Sequence, residues 1–463
     1  MKSGCEIRKA TSTGLRPLAV LLAVLILDIL ASGVAGSAQT PGNVLSRYLK
    51  RYRRIEMDAG AVAKRVHESG ELTLPTEDGV FNIVLEPHDI RAPQYKAEEV
   101  VAGGAIRTVI PDAIHTYRGT VPGMRGSEAR FSIRDNSFEG IVLTPGEWYL
   151  VEPMRNYDLA SRPSEMVVYR ASDIQTEALG TCGTSLAEKI TVAQEFLSPR
   201  VLEAGGSLSV ADIATEADYE YVASFGSSAN ANNAILDVMN QVDGIYRTQL
   251  SISLRVSYQH TWAAAGDPYT STAPSTMLDE FRTYWTANFG SLNFDLAHMW
   301  TGKDMDGSTI GIAYVGVACN ARSYSYGISQ KFTSAPGKYI LTAHEIGHNF
   351  GATHTEAANP PQLDCSNTIM NSSVGTGTSF CPYSMAEISG HATQYPSCLS
   401  TVSSGCDVNT DGQTNVLDTQ SLVNVLLGMA YCPGNCDSNR DGRVDVLDLQ
   451  LLVNAILGTA TCP

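Results

Sequence analysis

Within the stretch TAHEIGHNFGATH, Thr342 to His354, three of the chain's nine histidines fall in eleven residues. His344 and His348 stand four residues apart, so on a helix both imidazoles project from one face and can share a tetrahedral ion. Glu345 lies beside the first, where its carboxylate can take a proton from a water held by that ion. Gly351 offers the left-handed backbone that ends the helix, and His354 then supplies a third nitrogen. Three neutral nitrogens leave a fourth position open, which separates a catalytic zinc from a closed structural one. The bland alternative is a polar surface helix that happens to hold histidines.

A chain of 463 residues is too long for one core, so two to four domains are expected. Its net charge of -16, with no long Lys/Arg cluster beyond the N-terminus, argues against nucleic acid and anionic membrane surfaces as partners. Residues 1–38 carry Lys2, Arg8, Lys9 and Arg16, then the apolar run Leu18 to Leu30, then small residues ending GSA. That order reads as a secretory signal peptide. The alternative, an uncleaved anchor, needs roughly twenty apolar residues, and this run is shorter and contains Asp28. A secreted, extracellular protein with no membrane span in its mature form is expected, and ten cysteines fit an oxidising compartment. Cys5 leaves with the signal; of the rest, Cys182 in GTCGTS stands apart from all the others.

From 39 to about 184, apolar runs such as FNIVLEP, ARFSIRD, EGIVLTP and EWYLVEP alternate with Gly and Pro, a β-rich pattern. The stretch SPRVLEAGGSLSVADIATE reads as a loose linker and cleavage zone, with the domain boundary anywhere from 185 to 217. Beyond it, YEYVASFG reads as a strand, ANANNAILDVMNQVDGIYRTQL as a helix and SISLRVSYQHTW as a strand. Thr276 to Phe289 reads as a second helix, GIAYVGVAC as a third strand and LTAHEIGHNF as the histidine helix. This alternation predicts an α/β domain with a mostly parallel twisted sheet.

The motif HExxHxxGxxH resembles the metzincin metalloproteases, with all five fixed positions present. Met370, sixteen residues after His354 in CSNTIMNSS, stands where that family has its Met-turn. The segment HMWTGKDMDGSTIGIAYVGVAC is similar to the reprolysin-like (ADAM/adamalysin) branch, whose edge strand there pairs with extended substrate. Thr355 departs from that branch, which usually has Asp after the third His. The resemblance implies zinc on His344, His348 and His354, peptide-bond hydrolysis with Glu345 as general base, and disulfides Cys319–Cys398 and Cys365–Cys381. It also implies that 39–210 is a propeptide in which Cys182 takes the open zinc position as a latency switch, before a protease domain at 211–400. A thiolate is a strong zinc ligand, so the role is chemically sound. A structural cysteine is the alternative.

A repeat follows a Ser/Gly hinge: CDVNTDGQTNVLDTQSLVNVLLG from Cys406 returns as CDSNRDGRVDVLDLQLLVNAILG from Cys436, thirty residues later. Asp407, Asn409, Asp411, Gln413, Asn415 and Asp418 occupy positions 1, 3, 5, 7, 9 and 12 of a calcium loop, Gln413 through its backbone carbonyl. Asp437, Asn439, Asp441, Arg443 (again by its carbonyl), Asp445 and Asp448 repeat them, with Gly412 and Gly442 at the sharp turns. Asp where an EF-hand has Glu, followed by one helix per copy, resembles a type I dockerin, an all-α module expected over 405–463. That resemblance implies Ca²⁺ and a cohesin partner, with Val416-Leu417 and Val446-Leu447 at the positions tied to partner choice. A calcium-stabilised end module without a cohesin is the alternative.

The reading joins these into a secreted zinc endopeptidase acting on protein substrates, made latent and carrying a calcium-dependent docking module that tethers it to a surface or scaffold. Its rival is a noncatalytic binding protein, against which intact Glu345 argues.

Overall fold

The computed structural model describes residues 44–175, 179–184, 208–358, 365–395, 399–401, 406–409, 414–430, 432, 436–439 and 443–460. The expected signal peptide, Cys5, Cys398, Cys462, Asp411, Gly412, Gln413, Asp441 and Gly442 lie outside the described residues. Among the described residues no helix is long and apolar enough to cross a membrane.

The N-terminal region builds an eight-stranded antiparallel sheet. Its strands run in the order β1 (Arg53–Glu56), β10 (Glu165–Arg170), β9 (Trp148–Pro153), β8 (Ser137–Leu143), β7 (Glu128–Arg134), β6 (Thr116–Thr120), β3 (Gly79–Pro87), β2 (Glu71–Thr76). Side chains alternate across a strand, and here both sides are used. Val142, Val151, Met166 and Val168 face a core with helix α1 (Ala59–Ser69), while Ile141, Leu143, Leu150, Val167 and Tyr169 join the core of the region beyond residue 208. Helix α1 starts where the Asp58 side chain accepts from Ala61 N–H and ends at left-handed Gly70.

The second sheet has at its centre four parallel strands, β13 (Ile252–Trp262), β12 (Ser209–Ala217), β14 (Leu296–Thr301) and β16 (Tyr326–Gln330). Antiparallel β15 (Thr309–Ala313) follows β16, and then come β11 (Gly180–Cys182) and β17 (Ser373–Val374). On the other flank the N-terminal region adds β4 (Arg91–Val100), parallel to β13, and then β5 (Ile106–Thr108); β18 (Ser400–Thr401) pairs beside β12. The sheet is therefore mixed, with parallel order confined largely to its middle. Helices α3 (Ser228–Leu250) and α5 (Ala335–Asn349) share one core, while α4 (Pro274–Phe289) builds another with Phe281, Trp285 and Phe289. The result is an α/β domain.

Three expectations change. YEYVASFG is not a strand but helix α2 (Tyr219–Phe225), because the Asp218 side chain accepts from Tyr221 N–H and Gly226 closes the last turn in the left-handed region. The strand lies just before it, as β12, in residues that read as linker; its Ala and Thr side chains fit a central strand buried on both faces. The strand in GIAYVGVAC stops at Ala313. After it Gly316 turns the chain at φ 68°, and Gly316, Val317 and Ala318 donate to the carbonyls of His348 and Asn349 instead of to a neighbouring strand.

Short α6 (Thr355–Ala358) follows the histidine helix, and α7 (Pro382–Gln394) precedes the repeat. The repeat contributes α8 (Val416–Leu426) and α9 (Val446–Ile456), which pack Leu422 against Leu452 in a small core that also holds Cys406 and Cys436.

Candidate metal centre

Helix α5 presents His344 and His348 on one face, and left-handed Gly351 (φ 92°) turns the chain so that His354 comes back beside them. The three Nε2 atoms lie 3.0, 3.1 and 3.3 Å apart. Three nitrogens at zinc-ligand distance from a tetrahedral ion stand roughly 3.3 Å apart, so the triangle already has the size such an ion requires. His344 Nδ1–H donates to Ile369 O at 2.6 Å and His348 Nδ1–H to Ala352 O at 2.7 Å, which directs the Nε2 lone pair of each inward. Burial lowers the proton affinity of all three rings, taking His344 down to about 3, with the neighbouring histidines adding to the effect on His344 and His348. The imidazoles are therefore neutral and free to bind a cation.

Cys182, the free cysteine among the described residues, completes a four-residue group with these histidines whose potential ligand atoms all lie within 4.8 Å of one another. Its Sγ stands 3.5 Å from His348 Nε2 and 3.6 Å from Glu345 Oε2, and it accepts from Thr184 N–H at 3.3 Å. Burial, then the Glu345 carboxylate, pushes this thiol well above its ordinary value. Strand β11 carries Cys182 there by lying between two neighbours, parallel to β15 and antiparallel to β17. Gly183 N–H donates to Gly311 O, Cys182 N–H to Ser372 O, and the Thr184 hydroxyl bonds both backbone groups of Ala313. The cleft over the histidines is thus filled by the chain itself. A cavity of about 550 Å³ lies elsewhere, between Arg134 and Glu139 of the N-terminal region and Trp300, Lys331 and Thr342.

Several supporting residues were not singled out from the sequence. Gly311 on β15 touches the site by what it lacks: a Cβ there would come within 2.4 Å of Glu345 Oε1. Gly347, between the two helical histidines, allows Met370 Sδ to come against the helix, since a Cβ there would stand 2.6 Å from it. Met370 is fully buried. Thr355 anchors that turn: its N–H donates to Met370 O at 3.1 Å and its hydroxyl accepts from Asn371 Nδ2. Asn349 Nδ2 donates to Tyr314 O at 2.9 Å and Tyr326 O at 3.0 Å, tying the end of α5 to the strand edge. The signals were faint, namely glycines inside a strand and inside a helix and one amide after a histidine.

In the repeat, Asp418 accepts from Asn409 N–H at 2.9 Å and Asn415 N–H at 2.8 Å, and Asp448 accepts from Asn439 N–H at 3.0 Å and Asp445 N–H at 2.8 Å. Each twelfth-position carboxylate is fully buried and closes its loop from start to end. Asn415 and Asp445 cap α8 and α9, each forming a capping box with that carboxylate. Val416, Leu417, Val446 and Leu447 are exposed in both copies. Disulfide Cys365–Cys381 is present as the resemblance implied, and Cys432–Cys436 joins the two copies; Cys319 and Cys406 are also disulfide-bonded.

A helix bearing HExxH, a glycine turn to a third histidine and a buried methionine beneath them define a metzincin-type metallopeptidase domain. Residues 207–421 match the Reprolysin_5 family, metallo-peptidase family M12, and residues 405–457 match the type I dockerin domain. The chain is 24% identical over 434 residues to disintegrin and metalloproteinase domain-containing protein 10 of Bos taurus and, equally, of Homo sapiens, covering 77% of this chain and 57% of those relatives. It is 28% identical over 263 residues to a zinc metalloproteinase-disintegrin-like protein of Cerberus rynchops, covering 54% of this chain and 42% of that protein. The chain therefore spans little more than half the length of these curated relatives. These matches give the chain a reprolysin-type M12 metallopeptidase domain over 207–421 and a type I dockerin domain over 405–457.

Proposed function

We propose that this chain is a secreted zinc endopeptidase made as a latent precursor, with a calcium-dependent docking module that tethers it through a cohesin-type partner. The observation that carries the reading is the triangle of histidine nitrogens with Cys182 Sγ set over it. His344, His348 and His354 would hold the zinc. When bound, zinc supplies a Lewis acid for a peptide carbonyl and brings a water's pKa toward neutrality.

The chain's own residues do the rest. Glu345 takes the proton at a carboxylate oxygen and passes it to the leaving amine. Its Oε2 faces the place Cys182 Sγ occupies, where a water would stand once β11 leaves. β15 then offers its vacated backbone groups to an extended peptide. The segment from residue 39 to a boundary within 185–208, ahead of β12, acts as a propeptide that carries this Cys182 plug near its end. In the repeat, Asp407, Asn409, Asp411, Asn415 and Asp418 and, in the second copy, Asp437, Asn439, Asp441, Asp445 and Asp448 would hold calcium, with the carbonyls of Gln413 and Arg443. Val416-Leu417 and Val446-Leu447 stand exposed beside the loops, where a partner would meet them.

The test is cleavage of a generic protein such as casein by processed chain, with and without a chelator, alongside Glu345→Ala. Loss of cleavage in both controls is expected; activity that survives both would sink the reading.

A further inference from the structure

The outer face of α3 is where the N-terminal region is fastened. Asn233, Asp237, Asn240 and Gly244 recur at steps of four, three and four, so they share one helix face. On a free protease this stripe would read as a solvated surface. Here each position has a counterpart in the N-terminal region. Asn233 donates to Asp112 at 2.6 Å, Asp237 pairs with His115 at 3.0 Å and with Arg134, and Asn240 donates to Phe131 O at 3.1 Å. Gly244 leaves a dent: a Cβ there would meet Arg130 Cγ at 2.7 Å, and Arg130 reaches past it to Asp243 at 2.6 Å, both side chains fully buried.

Helix α5 is fastened as well. Glu152 accepts from Ala335 N–H at 3.0 Å, in the first turn of α5, and Lys338 pairs with Glu139 at 2.8 Å. Strand β4 lengthens the protease sheet along β13. Helix α1 covers one face of the N-terminal sheet, whereas Ile141, Leu143, Leu150, Val167 and Tyr169 on the other face are buried in the protease core.

We infer that cutting the chain within 185–207 leaves the N-terminal region bound, so that the enzyme works as a complex of two fragments in which only β11 must quit the histidines. The inference rests on the proposed latent peptidase. Departure of the whole region would break the buried Arg130–Asp243 pair and bare an apolar sheet face. Opening β11 breaks only the few hydrogen bonds of a three-residue strand and its flanks, and local openings of that size are the cheaper event.

For the test, a recognition sequence for a site-specific protease is inserted within 185–207 of the full chain carrying Glu345→Ala, which prevents self-cleavage. After the cut, both fragments are expected to elute together on size exclusion in native buffer and to part only in denaturant. Separate elution in native buffer overturns the inference, whether or not the chain proves to be a peptidase. Gly244→Ala favours the helix itself but sets a methyl against Arg130. It should speed exchange of the N-terminal fragment with a labelled copy by roughly tenfold or more; exchange at the parent rate overturns the docking. With Glu345 restored and Cys182→Ala added, peptide cleavage is expected in the fraction holding both fragments. Cleavage confined to fractions free of the N-terminal fragment overturns the two-fragment enzyme.

Discussion

The chain prepares for metal in two opposite ways. At the histidine site the candidate ligands come from a helix, a turn and a strand more than 160 residues away, and surrounding carbonyls hold two of the rings before any ion arrives. In the acidic repeat each candidate set comes from one twelve-residue loop, and its buried Asp holds the loop's backbone. A site drawn from distant elements inherits the stability of the fold. A local loop crowded with carboxylates must have its charge offset by the ion it binds, so there binding and folding are one event.

The largest effect expected from this contrast is kinetic. Glu345→Gln keeps the shape but removes the base, and peptide cleavage should fall by about 10²- to 10⁴-fold while zinc content by elemental analysis stays at the parent value. A parallel loss of zinc would mean that the site is less preformed than the carbonyl bonds imply. Next comes calcium. At 100 times its dissociation constant an ion adds about 2.7 kcal/mol to whatever it folds. Chelating calcium from an isolated 405–463 fragment should therefore abolish most of the helical circular dichroism of α8 and α9, and removal that leaves the signal intact would erase the distinction between the two sites.

Gly311→Ala should follow, because its methyl collides with Glu345 Oε1. Overpacking of this kind costs about 1–3 kcal/mol. If that strain is relieved by moving the carboxylate, kcat should drop while zinc binding persists. The smallest effect concerns Asp295, an acid whose burial outweighs the pull of Arg255 and Arg322. Burial, aided by the charge of Asp212, raises Asp295 from its ordinary 3.8 to about 7. Between those two values the folded chain holds a proton that the unfolded chain has lost, so stability falls as pH rises from about 4 to 7 and levels off above. Asp295→Asn should flatten that decline in thermal melts by about 1–2 kcal/mol, allowing for solvent screening at a partly exposed site.

The histidine motif was legible because its chemistry is written in fixed spacing on one helix, α3 and α4 were legible as helices, and the repeat helices from the calcium loops they follow. β12 was not, since Ala and Thr in SVADIATEA carry little apolar signal; only burial between two layers makes them a strand. α2 was missed because YEYV suits a strand by composition, and the decision lay with the Asp218 cap. Nor does a sequence say that the polar stripe of α3 meets Arg130 and Arg134 rather than water. The approach of Cys182 to the histidines followed from family likeness, while its route between β15 and β17 is a matter of strand pairing across distant segments.

Asn349 carries a mechanical consequence. It follows His348 directly, and its amide bonds the carbonyls of Tyr314, just past β15, and Tyr326, at the start of β16. Any load that a bound peptide places on the cleft's rim is passed through that strut to a residue adjoining a candidate ligand. Rim and ligand are geared to move as one piece, so a substrate that pries the cleft wider does so by distorting the geometry that would cut it.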